Sequence, residues 1–215
     1  MRIGVTQRVE AIPSYGEYRD CLDQQWFRLL ESLSFVPVPV PNSLVDVEGW
    51  LDALGIEGLI LSGGNDLSQL PDASNSSTER DRTESALLAV AQQRQWPVLG
   101  VCRGLQMMNV WLGGQLSAVS GHAAVRHGVS ATQDAEVCFR PYREVNSFHN
   151  WGIVPDGLAA GLIPQLLSPE GDIEAYLHTN LPWAGIMWHP ERETPFNEHD
   201  EQLFNRIFRG TPCKR

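Results

Sequence analysis

An α/β fold, with a mostly parallel sheet flanked by helices, is the class this chain predicts. Short apolar runs alternate with longer helical patterns through the first two-thirds of the sequence. Two of those runs end abruptly in glycine-containing turns, at Ser62-Gly63-Gly64 and at Gly100-Val101-Cys102-Arg103-Gly104. No internal repeat, long linker or low-complexity tract interrupts the pattern, so residues 1–215 read as a single domain.

The elements follow in order. A strand over 2–6 precedes a helix at about 19–33, a strand over 36–40 and a short helix over 46–54. A strand over 58–61, a helix over 79–94, a strand over 97–101 and a helix after Cys102 complete the alternating part. The segment between, Ser68–Thr78, is rich in Ser, Asn, Asp and Pro and predicts a mobile loop. Beyond Gly114 the runs shorten into predicted strands at 115–119, 135–139, 173–178 and 184–188. A terminal helix over 198–209 places Leu203, Ile207 and Phe208 on one face.

Composition narrows the function classes. With 215 residues, of which 42% are hydrophobic, the chain can bury a substantial core. The 16 basic and 26 acidic residues leave a net charge of −10, which argues against broad binding to nucleic acid or to an anionic membrane. The chain starts directly in a strand, without a signal-peptide pattern, and no apolar run approaches a membrane span. Cysteines at 21, 102, 138 and 213 show neither a close-spaced metal pair nor a disulfide framework, so a reducing cytoplasm is the expected setting.

The chemistry concentrates at three places. Cys102 sits at the apex of a strand–turn–helix, where the flanking glycines permit the sharp turn. A helix N-terminus beside the sulfur favours the thiolate, which is the nucleophilic form. In Trp188-His189-Pro190-Glu191, an apolar run ends in an imidazole and a carboxylate two residues apart, on the same side of an extended chain. Such a carboxylate can hold one ring nitrogen while the other faces a thiol. Ser62-Gly63-Gly64 lets the backbone approach a ligand closely and offer N–H groups to an oxyanion, although the same residues would also make an ordinary turn.

Together, Gly-Val-Cys-Arg-Gly-Leu-Gln, Ser-Gly-Gly-Asn-Asp and Trp-His-Pro-Glu resemble a class I glutamine amidotransferase domain, of flavodoxin-like architecture, over nearly the whole chain. Arg103, the segment Val145-Asn146-Ser147-Phe148-His149, and Ser168-Pro169-Glu170-Gly171-Asp172-Ile173-Glu174-Ala175 resemble the branch that hydrolyses γ-glutamyl amides. The resemblance implies a Cys102–His189–Glu191 triad, an oxyanion hole from the N–H groups of Gly64 and Arg103, and a glutamyl contact from Gln106. It also implies a small-molecule γ-glutamyl substrate and no metal or organic cofactor. Asn146, Ser147 and His149 become candidate substrate contacts; His149 either meets the leaving group or is a second, non-catalytic histidine. The Arg80-Asp81-x-x-Glu84 stretch resembles a pocket-rim segment of the same branch.

The leaving group is read from the N-terminal segment. Arg8 ends the first strand, and Arg8, Arg19 and Arg103 are candidates to converge on an anion, although each also has local carboxylates to pair with. This segment is similar to the γ-glutamyl-CDP-amidate hydrolase family, which implies a nucleotide-linked substrate and a place in capsular phosphoramidate biosynthesis. Hydrolysis of γ-glutamyl-γ-aminobutyrate and ammonia delivery to a separate synthetase remain the alternatives. His122 and His127 have a spacing that allows a metal, but no neighbouring carboxylate or cysteine completes a site, so solvated or substrate-loop histidines are expected.

Overall fold

The computed structural model describes residues 1–71 and 73–213. In chain order the strands and helices are β1 (Arg2–Thr6), β2 (Arg8–Ile12), β3 (Glu17–Cys21), α1 (Gln24–Ser32), β4 (Val36–Val40), α2 (Val47–Leu54), β5 (Gly58–Leu61), α3 (Thr78–Arg94), β6 (Val98–Val101) and α4 (Arg103–Trp111). They continue with β7 (Ser117–Ala118), β8 (Ala123–Gly128), β9 (Ser130–Ala131), β10 (Glu144–Phe148), β11 (Trp151–Gly152), β12 (Leu162–Leu167), β13 (Ile173–His178), β14 (Trp183–Ile186) and α5 (Glu198–Arg209).

An eight-stranded sheet in the order β4-β1-β5-β6-β14-β13-β12-β9 organises the chain. Strands β4, β1, β5, β6 and β14 run parallel, and β13, β12 and β9 continue the sheet in antiparallel fashion. The central strands β5, β6 and β14 are buried throughout, as apolar runs covered on both faces should be. Because β1, β5, β6 and β14 are parallel, the segments after Thr6, Leu61, Val101 and Ile186 emerge at one edge, where open α/β sheets bind ligands.

Local chemistry sets the helix limits. Asp23, Asp46, Ser77 and Asn197 cap α1, α2, α3 and α5 by accepting a backbone N–H from the first turn. Gly55 and Gly210 end α2 and α5 in the left-handed conformation. The mostly parallel α/β architecture is the predicted one, and the strands at 2–6, 36–40 and 58–61 lie where expected.

Four readings are corrected. The segment read as the start of a helix at about 19–33 forms the β2–β3 ribbon, and α1 begins only at Gln24. The ribbon's exposed charged residues lack the alternating burial that marks a strand in sequence. Residues 135–139 form turns rather than a strand. Cys138 and Cys213 are joined in a disulfide with their Cα atoms 5.3 Å apart, a pairing invisible in sequence because 75 positions separate them. It removes the cysteine argument for a reducing compartment. Of the predicted Ser68–Thr78 loop, Asp72 lies outside the described residues; its flanks are anchored by Asp66 N–H to Asn75 O (2.7 Å) and Ser68 N–H to Asp81 Oδ2 (2.9 Å). Among the described residues no helix is long and apolar enough to cross a membrane.

Candidate active site

Cys102 links β6 to α4 with φ 51° and ψ −105°, a left-handed conformation that turns the chain abruptly. Glycine makes that turn possible. A Cβ on Gly104 would lie 1.9 Å from the Leu61 carbonyl oxygen, and one on Gly100 would lie 2.6 Å from the Gly104 backbone. The cysteine side chain makes no capping bond to α4 and is therefore available. It lies beside His189, at the end of β14.

His189 Nδ1 is 2.7 Å from Glu191 Oε1, and both residues are buried. The expected pairing is present, but an extended chain does not make it. His189 is extended and Pro190–Arg192 form a single 3-10 turn, which brings the carboxylate back to the ring. Burial alone would lower the His189 pKa; Cys102 and Glu191 outweigh it and raise it to about 9. The imidazolium is therefore the favoured form of this ring at neutral pH.

Two further elements hold the histidine. Asn146 on β10 accepts the His189 N–H (2.8 Å) and donates to its carbonyl (2.9 Å). Asp200 on α5 accepts from Trp188 Nε1 (2.9 Å) and from the Tyr142 hydroxyl (2.7 Å), which fixes the residue before it.

The Ser62–Gly64 turn faces the same ring: a Cβ on Gly63 would lie 2.6 Å from His189 Cε1. Gly64 has φ +81°, and a side chain there would collide with Arg8. Arg80, fully buried, donates to the carbonyls of Ser62 (2.6 Å) and Gly63 (3.1 Å) and to that of Gly64. The Ser62 N–H is taken by Thr6 Oγ1 (3.0 Å), so the N–H groups of Gly63 and Gly64 are the ones this turn can offer to a ligand. Arg80 and Glu84 thus brace the turn from beneath and do not form a pocket rim, which corrects the sequence reading.

Arg103 also departs from expectation. Its guanidinium is buried between Asp81 and Glu84, so it cannot reach a leaving group. Burial pushes the Glu84 carboxyl up, but Arg103 and Arg80 together hold it below its ordinary value. The backbone of Arg103 opens α4, where the first N–H groups have no helical partner.

A cavity of about 310 Å³ opens beside His189, with Arg8, Trp26, Gly63, Gly64 and Arg192 in its wall. Arg19 is not in that wall; it is exposed and paired with Glu17 at 2.7 Å on the β3 ribbon. Arg192, which the sequence did not single out, takes its place. Its guanidinium stacks over Phe148 at 4.2 Å. Its position three residues after His189 was the available signal.

Other predicted contacts are committed within the protein. Gln106 donates to the Trp151 carbonyl at 2.7 Å. Asn146 spends its amide on His189 and Glu193, and the Ser147 hydroxyl donates to the His122 carbonyl at 2.7 Å. His149 is absent from the cavity wall and joins a cluster with His122, His127 and Glu174, which favours the second, non-catalytic histidine of the two sequence readings. The same cluster corrects the expectation that no carboxylate accompanies His122 and His127. Glu174, on a distant strand, supplies one. Burial pushes the His149 pKa down to about 3 and the Glu174 pKa up to about 8.

Residues 2–191 match the Peptidase C26 family. The chain belongs to that family. It is a cysteine-dependent hydrolase. Over 200 residues, covering 92% of this chain and 93% of the relative, it is 33% identical to the gamma-glutamyl-CDP-amidate hydrolase of Campylobacter jejuni. It is 25% identical to the gamma-glutamyl-gamma-aminobutyrate hydrolase of Escherichia coli O157:H7, covering 93% and 89% of the two chains. The crystal structure of a glutamine amidotransferase from Thermotoga maritima superposes with a TM-score of 0.66 at 14% identity, over 97% of this chain and 84% of that one. The fold of this C26 member is therefore the class I glutamine amidotransferase fold.

Proposed function

We propose that the protein hydrolyses a γ-glutamyl amide through a thioester on Cys102. The observation that carries this reading is the Cys102–His189–Glu191 constellation set against the Gly63–Gly64 turn at one sheet edge. Cys102 Sγ attacks the γ-carbonyl carbon. The tetrahedral oxyanion is received by the N–H groups of Gly64 and Arg103, and one such donor contributes about 3–4 kcal/mol. His189, protonated, gives its proton to the leaving nitrogen as the C–N bond breaks. It then takes a proton from water, which attacks the thioester, releases glutamate and frees the sulfur. Glu191 orients the ring and stabilises its charged form.

The leaving group is the finer question. Arg8 and Arg192 are the two arginines of the cavity wall, which also holds Asp23 and Glu191, and they are the groups that could meet an anionic leaving group. Together with the similarity to the Campylobacter jejuni enzyme, this supports γ-glutamyl-CDP-amidate as substrate and glutamate and cytidine diphosphoramidate as products. That product would serve phosphoramidate transfer to a capsular polysaccharide. The test is glutamate release from γ-glutamyl-CDP-amidate, γ-glutamyl-γ-aminobutyrate and glutamine, measured side by side. The nucleotide substrate should lead. Faster turnover of γ-glutamyl-γ-aminobutyrate would move the assignment to that hydrolase class, and glutamine in the lead would favour ammonia delivery to a separate synthetase.

A further inference from the structure

His122, His127, His149 and Glu174 come from three separate places in the fold. His127 lies on β8, His122 just before it, His149 just after β10, and Glu174 on β13. One donor atom from each lies within 4.8 Å of all the others. His122 Nδ1 is 3.3 Å from His127 Nε2. Glu174 Oε1 is 3.8 Å from His122 Nδ1, 3.6 Å from His127 Nε2 and 3.8 Å from His149 Nε2. Four ligands on a tetrahedral ion at 2.0–2.1 Å would stand roughly 3.3 Å apart. Four of the six donor–donor distances lie within about 0.5 Å of that spacing, and the two between His149 and the other histidines, within 4.8 Å, would close on binding.

The outer faces of the rings supply the second argument. His149 Nδ1 is 3.0 Å from the Trp151 carbonyl, and His127 Nδ1 is 3.0 Å from the Gly128 carbonyl. Each carbonyl demands the proton on Nδ1, so both Nε2 atoms present lone pairs to the centre. The outer nitrogen of His122 faces Glu170 at 3.7 Å and Asp172 at 3.9 Å. Two of the three imidazoles thus have a hydrogen-bonded carbonyl behind them, the arrangement that orients metal-binding histidines, and the third has carboxylates just beyond hydrogen-bond reach. At the centre, His149 Nε2 and both oxygens of Glu174 are buried without a hydrogen-bond partner. His122 Nδ1 and His127 Nε2 pair with each other in the metal-free chain, and a cation entering between them would displace that proton while giving His149 Nε2 and Glu174 the partner they lack.

We propose that these four residues bind one divalent transition-metal ion of the zinc class. Three nitrogens and one oxygen complete a tetrahedron, so the site is closed and its role is structural. It would tie the β8–β10 ribbon to β13 of the main sheet. The same ribbon carries Asn146, which holds His189, and the Glu174 carbonyl accepts the Met187 N–H at 2.8 Å two residues before His189. Metal binding would thereby stiffen the support of the active site without touching its chemistry. The proposal is independent of which γ-glutamyl amide is cleaved.

The test uses the untagged chain, stripped with chelator and dialysed against Zn2+ alone. The expected result is one zinc per chain by elemental analysis, with a rise in melting temperature that chelator reverses. Co2+ in its place should show the intense visible bands of a four-coordinate ion. His127→Asn, at the more exposed end of the cluster, should fold as judged by circular dichroism and weaken zinc binding by about tenfold or more. Glu174→Gln should do the same. Cys102→Ser should keep the full equivalent, which separates this site from the cysteine centre. A folded wild-type chain that takes up no stoichiometric zinc would overturn the proposal. So would unchanged binding in both His127→Asn and Glu174→Gln, or loss of the metal in Cys102→Ser.

Discussion

His189 and His149 are both buried imidazoles facing a glutamate, yet burial prevails at only one of them. Burial lowers the proton affinity of each. At His189 the carboxylate is in contact at 2.7 Å and Cys102 lies on the other side, so the pKa rises to about 9. At His149 the glutamate is 3.8 Å away and its own pKa is raised to about 8, so burial and two other histidines prevail and the pKa falls to about 3. The difference teaches that a His–Glu pair is defined by contact and by its third neighbour. In the proposed mechanism the first arrangement holds the proton that the leaving group takes. The second exposes lone pairs.

The largest test of the contrast is at the sulfur. Cys102→Ser should lower kcat by about 10^4-fold or more while the fold is kept, because a serine hydroxyl is a far weaker nucleophile here. Wild-type-like turnover would remove Cys102 from its role.

Glu191→Gln should lower kcat/KM by about 10^2- to 10^4-fold, on the pattern of other triads in which the carboxylate becomes an amide. The pH profile sharpens this. Glu191 raises the His189 pKa, so its loss should move the alkaline limb from near pH 9 towards neutrality. An unmoved limb would mean that Glu191 does not set the proton affinity of the ring.

The buried carboxylates should respond to pH in opposite senses. The Glu84 pKa is lowered in the fold, so its contribution to stability is present above the ordinary glutamate value of 4.5 and is lost as pH falls through the folded value. The Glu174 pKa is raised to about 8, so in metal-free protein stability declines as pH rises from 4.5 to about 8. Urea midpoints against pH should flatten over the acid range in Glu84→Gln and over the neutral range in Glu174→Gln. Arg103→Met, which leaves Asp81 and Glu84 without this cation, should cost about 3–5 kcal/mol.

The smallest effect is expected at the cavity wall. Arg8 is half exposed and already paired with Glu10 at 2.5 Å. Arg8→Ala should therefore weaken an anionic substrate by only about 1 kcal/mol and leave glutamine turnover unchanged. Equal losses on both substrates would signal a general defect.

The placement of Cys102, His189 and Glu191 was legible in sequence and the histidine cluster was not. Cys102, the Gly63–Gly64 turn and His189–Glu191 each lie within a few residues of a buried apolar strand, so local pattern and chemistry coincide. The cluster depends on β8, β10 and β13 meeting. β8 is exposed along most of its length and carries no alternating pattern, and β12 is interrupted by Pro164 and two register shifts. Such strands take their place from their partners, which local periodicity does not record. The direction of Arg103 was equally hidden, since its partners Asp81 and Glu84 lie on another helix. The place of Arg19 on the β2–β3 ribbon was hidden for the same reason as β8.

The central claim is that the γ-glutamyl group passes through a thioester on Cys102. Enzyme mixed with γ-glutamyl-CDP-amidate, quenched in acid during turnover and digested for mass spectrometry, tests it most directly. A γ-glutamyl adduct should form on the peptide containing Cys102, appearing before glutamate accumulates and disappearing as substrate is exhausted. Sustained glutamate release with no adduct on Cys102, or with the adduct on another residue, would contradict it.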